Sequence, residues 1–177
     1  MRSYKLNINI KQKIWNWLQS NNVANRGKFD GDKTKQLIGL LGEFETHNYL
    51  LGYYPELKFG FDNGIDIIYN KKKIDVKTMG RNVDCKPHFA NNFLECQINY
   101  ESNYIIFTSI NLKNNTFQIC GYLHKDNLKK KGILIKKGDK RFRDNGTFFI
   151  VQENFYEINN ESLTSIHDLK YERTPIL

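Results

Sequence analysis

The sequence has few cysteines, almost no alanine and no long apolar run. Its three cysteines make an odd number, and the first residues lack a signal-like apolar segment. Both features favour a cytoplasmic protein with reduced thiols over a disulfide-bonded secreted domain. No apolar stretch approaches the roughly 18 residues of a membrane span, so we expect no membrane association. Ala24 and Ala90 are the only alanines, a usage that AT-rich coding would produce and that indicates nothing about function.

Acidic residues are in the minority. The chain has 27 Lys and Arg against 19 Asp and Glu, which gives a net charge of +8, and its isoelectric point is near 9.3. This balance predicts an anionic partner, nucleic acid first, although charge alone leaves open a soluble protein that is merely basic. A hydrophobic share of 40% over 177 residues is enough for one domain with its own core.

Hydrophobic periodicity predicts helices early in the chain and strands later. A short amphipathic helix is predicted over residues 8–19, and a longer one follows the N-cap candidate Asp32 and ends at Gly52 and Pro55. Residues 79–96 are predicted to form a loop with a helical turn, and residues 136–146 a polar connection. Two short helices are also predicted, one at residues 124–131 and one that starts near residue 160. Strands are predicted at residues 65–69, 74–78, 104–110, 116–123, 133–135, 147–152 and 156–158.

This order of elements predicts a single α/β domain over residues 1–177, with a mixed sheet flanked by helices. Within it we expect an N-terminal helix and loop over residues 1–31, a core over residues 32–170 and a loose tail over residues 171–177.

The two strands at residues 65–78 are predicted to form a short hairpin. If Asn70 and Lys71 form a two-residue turn, Asp66 lies opposite Asp75; a turn one residue later sets Asp66 opposite Lys77. In both registers the two aspartates and Lys77 share one face.

Two like charges on one face of a hairpin destabilise it unless something compensates. A divalent cation between Asp66 and Asp75 would do so, and carboxylate oxygens are the ligands that Mg²⁺ prefers. The alternative is a solvated hairpin whose acids are balanced by the lysines at residues 71–73.

The second helix contains two glycines in its interior, Gly39 and Gly42, which favour close packing against another backbone. If this packing brings the helix against the hairpin, Glu43 points towards Asp66 and Asp75. An ordinary surface position for Glu43 is the alternative. His47 lies one turn further on the same face and is better explained as a packed helix residue.

The order of three motifs resembles that of the PD-(D/E)xK nuclease superfamily, which has the restriction-endonuclease-like fold. These motifs are a Glu on a helix, then an Asp on a strand, then Asp-x-Lys on the next strand. The matching residues are Glu43, Asp66 and Asp75-Val76-Lys77, and the run from Gly60 to Gly80 is similar to small phage-encoded members. Ile65 stands where the superfamily's name has Pro. The spacing of Gln97 to Tyr100 is one residue short of the signature of the RecB-like branch, so no branch is assigned.

The resemblance implies a Mg²⁺-dependent endonuclease that hydrolyses phosphodiester bonds in DNA, with Mn²⁺ as a possible substitute. Asp66 and Asp75 would bind the ion, helped by the Val76 carbonyl, and Glu43 would bind through water or hold a second ion. Lys77 would orient the attacking water and stabilise negative charge. A homodimer is possible, and a phage-encoded protein would act in the host cytoplasm.

Basic residues in and around a glycine-containing segment are the predicted contacts to phosphate, because such a run opposes phosphate charge without reading sequence. A solvated cationic face is the alternative. Arg81, directly after the predicted active-site strand, is the first candidate for a contact close to the chemistry. The others are Lys136, Lys137, Lys140, Arg141 and Arg143.

The cysteines and nearby histidines lack a paired Cys-x2-Cys spacing, so the sequence favours buried or idle thiols over a zinc site. The residues concerned are Cys85, His88, Cys96, Cys120 and His124.

Two other functions are consistent with the sequence. One is a non-catalytic nucleic-acid-binding protein that retains the nuclease fold, and the other is a nuclease that acts on RNA. The apposed carboxylates argue against a protein that only binds, whereas nothing in the sequence distinguishes DNA from RNA.

Overall fold

A five-stranded mixed sheet is the centre of the structure. The computed structural model describes residues 2–23, 32–58, 62–142 and 146–170. The strands of these residues are β1 (Ser3–Lys5), β2 (Ile67–Tyr69), β3 (Lys72–Arg81), β4 (Ala90–Leu94), β5 (Tyr104–Asn111), β6 (Thr116–His124), β7 (Ile133–Ile135), β8 (Lys140–Phe142), β9 (Phe148–Ile150) and β10 (Phe155–Asn159).

The central sheet has the strand order β1-β6-β5-β3-β2, a second sheet has the order β4-β10-β7, and β8 pairs with β9 alone. Strands β3 and β5 run parallel, whereas the other neighbours in the central sheet are antiparallel. Every residue of β5 is buried, as expected for a strand covered on both faces. The chain is therefore a mixed α/β domain, as predicted.

Two helices lie between β1 and β2 in the chain. Helix α1 (Ile8–Ser20) begins at Asn7, whose side chain accepts hydrogen bonds from the backbone amides of the first turn. Helix α2 (Lys33–Leu51) begins at the N-cap Asp32 and ends at Gly52, which has the left-handed conformation typical of a helix C-terminus. Both helices match the prediction. The third helix, α3 (Leu128–Lys131), is a single turn after a 3₁₀ segment.

The helices cover one face of the central sheet. Alternate residues of β3, such as Ile74 and Val76, pack in one core cluster with Leu41 and Phe44 of α2 and Ile14 of α1. Burial of this apolar stripe accounts for the position of both helices on the sheet.

The second sheet covers the opposite face. Phe93 of β4 and Ile158 of β10 pack in one cluster with Ile105 and Phe107 of β5. Parallel pairing places Asp75 beside Ile105 and Lys77 beside Phe107, so Asp75 and Lys77 lie on this face.

The structure differs from the predicted local structure in three places. Of residues 79–96, predicted as a loop with a helical turn, residues 82–89 are a loop and Glu95–Gln97 is a 3₁₀ turn, but β3 continues to Arg81 and β4 follows the loop. The polar connection at residues 136–146 contains β8. Strand β1, before α1, is an element that the sequence did not predict. In β4 the asparagines suggested a turn, but Asn91 is buried and its side chain donates to Asn160 Oδ1 at 2.7 Å, so tertiary contacts override local preference.

The tail at residues 171–177 and most of the loop at residues 20–31 lie outside the described residues. Among the residues described, no helix combines the length and apolarity needed to cross a membrane.

Candidate active site

The hairpin of β2 and β3 sets the geometry of the site. Its turn consists of Asn70 and Lys71, whose φ angles of 48° and 64° are typical of the tight turns that match strand twist. Tyr69 therefore pairs with Lys72 and Ile67 with Ile74. One further step along this register sets Asp66 opposite Asp75, which is the first of the two predicted registers.

Asp66 is fixed to the edge of β3 by two hydrogen bonds. Its backbone N–H donates to the Ile74 carbonyl at 2.9 Å, and its Oδ2 accepts from the Val76 N–H at 2.6 Å. The N–H and C=O of one strand residue point to the same edge. The Val76 carbonyl thus faces the edge where Asp66 lies, as its predicted role requires.

Asp75 and Lys77 form an ion pair on β3. Lys77 Nζ donates to Asp75 Oδ1 at 2.5 Å, and the side chains are 24% and 1% exposed, respectively. The second oxygen of Asp75, Oδ2, is buried and has no hydrogen-bond partner among the described residues. A buried carboxylate oxygen without a donor is costly, so the site favours a proton or a cation at this position.

Electrostatic interactions show that the four predicted catalytic residues lie together. Burial, and then the negative charges of Glu43 and Asp75, raise the pKa of Asp66 well above its usual value. Burial also raises the pKa of Asp75, although the charge of Lys77 and its hydrogen bond oppose this shift. Burial disfavours the charged form of Lys77, but Asp75 and Asp66 outweigh it and raise the pKa of the ammonium group.

Helix α2 supplies Glu43 to this site. The neighbouring Gly42 lies against Thr78 of β3, and a Cβ at Gly42 would overlap the Thr78 hydroxyl. This close approach was predicted for both glycines, but a Cβ at Gly39 would meet nothing within 4 Å, so the prediction was wrong for Gly39. The contact at Gly42 holds the helix against the strand that carries Asp75.

A cleft of about 380 Å³ opens beside Asp66 and is lined by Glu43, His47 and Lys58, among others. His47 Nδ1 lies 2.9 Å from the Tyr53 carbonyl oxygen and its ring makes an edge contact with Tyr53, which agrees with a packed helix histidine. The cleft gives Glu43 and Asp66 access to solvent, whereas Asp75 is buried.

The oxygen donors of this site are chemically suited to a divalent cation. Two carboxylates with one unpartnered buried oxygen, and a carbonyl at the same edge, are hard oxygen donors of the kind Mg²⁺ binds. Within the described part of the chain, however, no three His, Cys, Asp or Glu side chains stand in a ready-made metal-binding group. Two of the oxygens that such a group would use already accept hydrogen bonds. Asp75 Oδ1 accepts from Lys77, and Asp66 Oδ2 accepts from the Val76 N–H.

One lysine near the site was not among the predicted site residues. Lys125 is buried and donates from Nζ to the Tyr100 carbonyl at 2.8 Å. Burial lowers the pKa of Lys125, and the charges of Asp75 and Lys77 also act on it. Its nearness depends on the parallel pairing of β3 and β5, which local sequence does not reveal.

The predicted phosphate-binding residues have different environments. Arg81 donates from Nη2 to the Ala90 carbonyl at 2.6 Å and stacks over Phe89. Arg141 forms two hydrogen bonds to Glu157, at 2.6 and 2.7 Å. Lys136, Lys137 and Lys140 are exposed, and Arg143 lies outside the described residues.

Two of the cysteines are buried side by side. The Sγ atoms of Cys85 and Cys120 are 3.4 Å apart, and Asn160 donates to Cys85 Sγ at 2.9 Å. The hydrogen bond from Cys120 is the main cause that lowers the pKa of Cys85 to about 6. Cys96 is exposed, so these three thiols do not form one cluster.

No family model matches the chain, and comparisons with curated proteins and with solved structures found no similar protein at a significant level. A functional proposal must therefore rest on the geometry of the site.

Proposed function

We propose that the protein is a Mg²⁺-dependent endonuclease that hydrolyses phosphodiester bonds in DNA, built on a restriction-endonuclease-like fold. The observation that carries the proposal is the pair of apposed aspartates, Asp66 and Asp75, with Lys77 on the same face and one buried carboxylate oxygen without a partner. Such an arrangement is unfavourable for folding, and a cation with a phosphate substrate gives it a use.

In this proposal Asp66, Asp75 and the Val76 carbonyl hold the ion, and Glu43 adds charge from α2. A bound Mg²⁺ would polarise the scissile phosphate and lower the pKa of a bound water. Lys77, at the boundary between the buried pair and solvent, orients the attacking water and offsets the negative charge that develops on the phosphate. The +8 net charge favours the approach of a polyanion.

The test is incubation of the purified protein with supercoiled, linear, branched and single-stranded DNA in Mg²⁺ or Mn²⁺. We expect cleavage of at least one substrate, loss of cleavage with EDTA, and loss of cleavage in Asp75→Ala. Asp126→Ala is the matched control, because Asp126 is an exposed acid outside the site and its loss should leave cleavage unchanged. RNA substrates of the same sequences test the alternative specificity.

A non-catalytic nucleic-acid-binding protein is the second candidate, favoured by the ion pair in which Lys77 already neutralises Asp75. Binding of every substrate without cleavage by the unmutated protein would support this candidate and contradict the nuclease. A cytoplasmic location and a homodimer remain parts of the proposal.

A further inference from the structure

An exposed aromatic surface lies on the two-stranded ribbon of β8 and β9. Lys140 pairs with Ile150, and Phe142 pairs with Phe148, so these four side chains share one face of the ribbon. Phe142 is 68% exposed and Phe148 is 50% exposed, with ring centroids 6.0 Å apart. Two neighbouring aromatic rings at this exposure mark a binding surface.

The opposite face of the ribbon is attached to the rest of the protein. Arg141 alternates with Lys140 and Phe142, and its Nη2 donates to both carboxylate oxygens of Glu157 on β10. This pair, between side chains that are partly buried, is a charge-assisted contact, stronger than a hydrogen bond between neutral groups. The aromatic face therefore points to solvent because its reverse side is fixed.

A lysine lies beside both aromatic rings, and two more lysines precede β8. Lys140 Nζ lies 3.8 Å from the centroid of the Phe148 ring and 5.3 Å from that of Phe142. Lys136 and Lys137 are exposed in the turn before β8, where Asp139 is the acidic neighbour and accepts from the Lys136 N–H at 2.9 Å. Aromatic rings beside ammonium groups suit a partner that carries both flat apolar faces and negative charge.

The ribbon lies on the same side of the central sheet as the candidate active site. A cleft of about 600 Å³ is lined by Phe142 of the ribbon and by Met79 and Arg81 of β3. These two β3 residues alternate with the helix-facing ones and so share a face with Asp75 and Lys77. Six residues of strand separate Asp75 from Arg81, a distance of about 20 Å, or about six nucleotides at the spacing of stacked bases.

We propose that the outward face of the ribbon binds unpaired bases of a single-stranded nucleic-acid segment that extends from the active site. The bases stack on Phe142 and Phe148, and Lys136, Lys137 and Lys140 contact the phosphates. This inference rests on the proposed function for the role of the segment as substrate. It makes the preferred substrate a nucleic acid with a single-stranded extension of about six nucleotides or more, rather than a blunt duplex.

The experiment measures binding without divalent ions, so that its result does not depend on cleavage. Fluorescence anisotropy compares labelled 12-nucleotide thymidine and uridine oligonucleotides and a blunt DNA duplex. The variants are Phe142→Ala with Phe148→Ala, and Phe142→Leu with Phe148→Leu, which keeps apolar bulk but removes the aromatic faces. Trp15→Ala is the control, since Trp15 is a partly exposed aromatic residue on α1, in the helix layer.

We expect both double variants to bind the single strands about tenfold or more weakly, to bind the duplex within about threefold of the unmutated protein, and to keep its circular dichroism spectrum. Trp15→Ala should bind all probes normally. The thymidine and uridine probes show whether DNA or RNA is preferred.

Unchanged single-strand affinity in the leucine double variant would overturn the inference. So would a shift from dimer to monomer in sedimentation with DNA binding intact, because the surface would then be an interface between two copies. Loss of single-strand binding in a protein that cleaves nothing would refute the nuclease while leaving the ribbon as a binding surface.

Discussion

The two faces of β3 differ in what they contact and in what they contribute. Ile74, Val76 and Thr78 face α2 and pack in a close-fitting layer. Asp75 and Lys77, between them in sequence, face the other way and leave a buried oxygen unsatisfied. One face stabilises the fold, whereas the other carries a polar arrangement that folding alone does not explain, and such residues are candidates for function.

The largest difference should appear between the adjacent residues Asp75 and Val76. Asp75→Ala removes a proposed metal ligand, and we expect cleavage to fall by about a thousandfold or more. Val76→Ala keeps the backbone carbonyl but opens a cavity against α2, so we expect a loss of about 1–3 kcal/mol in the free energy of unfolding with most activity retained. Cleavage rates and urea unfolding are measured for both variants. Equal losses of activity would contradict a division of roles between the two faces of β3.

Lys77 tests the polar face without removing a metal ligand. We expect Lys77→Ala to lower the cleavage rate by about a hundredfold to a thousandfold with DNA affinity nearly unchanged. The control is Lys73→Ala, since Lys73 pairs with Glu101 at the surface and should leave cleavage as it is. A matching fall in affinity for Lys77→Ala would show that the lysine mainly holds substrate.

The helix-facing side is tested by the two glycines of α2. Gly42→Ala forces a methyl group into the Thr78 side chain, so we expect a loss of about 1–3 kcal/mol in stability. Gly39→Ala meets open space and gains helix propensity, so we expect a gain of up to about 1 kcal/mol. Thermal unfolding of both variants measures the difference, and similar midpoints would show that the close approach at Gly42 is not constraining.

The smallest expected effect concerns the charge of Asp66. Because its folded pKa lies above the ordinary value of 3.8, the folded state holds this proton more tightly than the unfolded chain. Stability without divalent ions should therefore fall as the pH rises from about 4 through the folded pKa, and then level off.

Asp66→Asn keeps an acceptor for the Val76 N–H but carries no charge. We expect it to be more stable than the unmutated protein at neutral pH by up to about 1 kcal/mol, and equal to it near pH 4.

Mg²⁺ should reverse the order of stability of the unmutated protein and Asp66→Asn, since a cation that binds only the folded state stabilises that state. The unmutated protein should gain thermal stability on addition of Mg²⁺, and Asp66→Asn should gain less. A gain of equal size in both proteins would place the ion elsewhere.

Local patterns predicted the parts of the structure that depend on neighbouring residues. Helices α1 and α2, with the Asp32 cap and the Gly52 end, follow from periodicity and end signals. The sequence left two registers open for the hairpin turn, and the structure has the turn at Asn70 and Lys71, which sets Asp66 opposite Asp75.

The parts that were missed depend on distant partners. Strand β4 is held by β10, which lies more than 60 residues later in the chain. The ion pair of Arg141 with Glu157 gives that arginine a structural contact, although its sequence context suggested phosphate. Lys125 reaches the site only through tertiary packing.

The parallel pairing of β3 with β5 has a consequence for the order in which the protein matures. The hairpin can form from adjacent residues, but β3 gains its parallel neighbour only after Asn111 has been synthesised, and β5 in turn is completed by β6, which ends at His124. Pairings between strands far apart in sequence form slowly. A nascent chain that stops short of Asn111 thus lacks the neighbouring strand beside which Asp75 is buried.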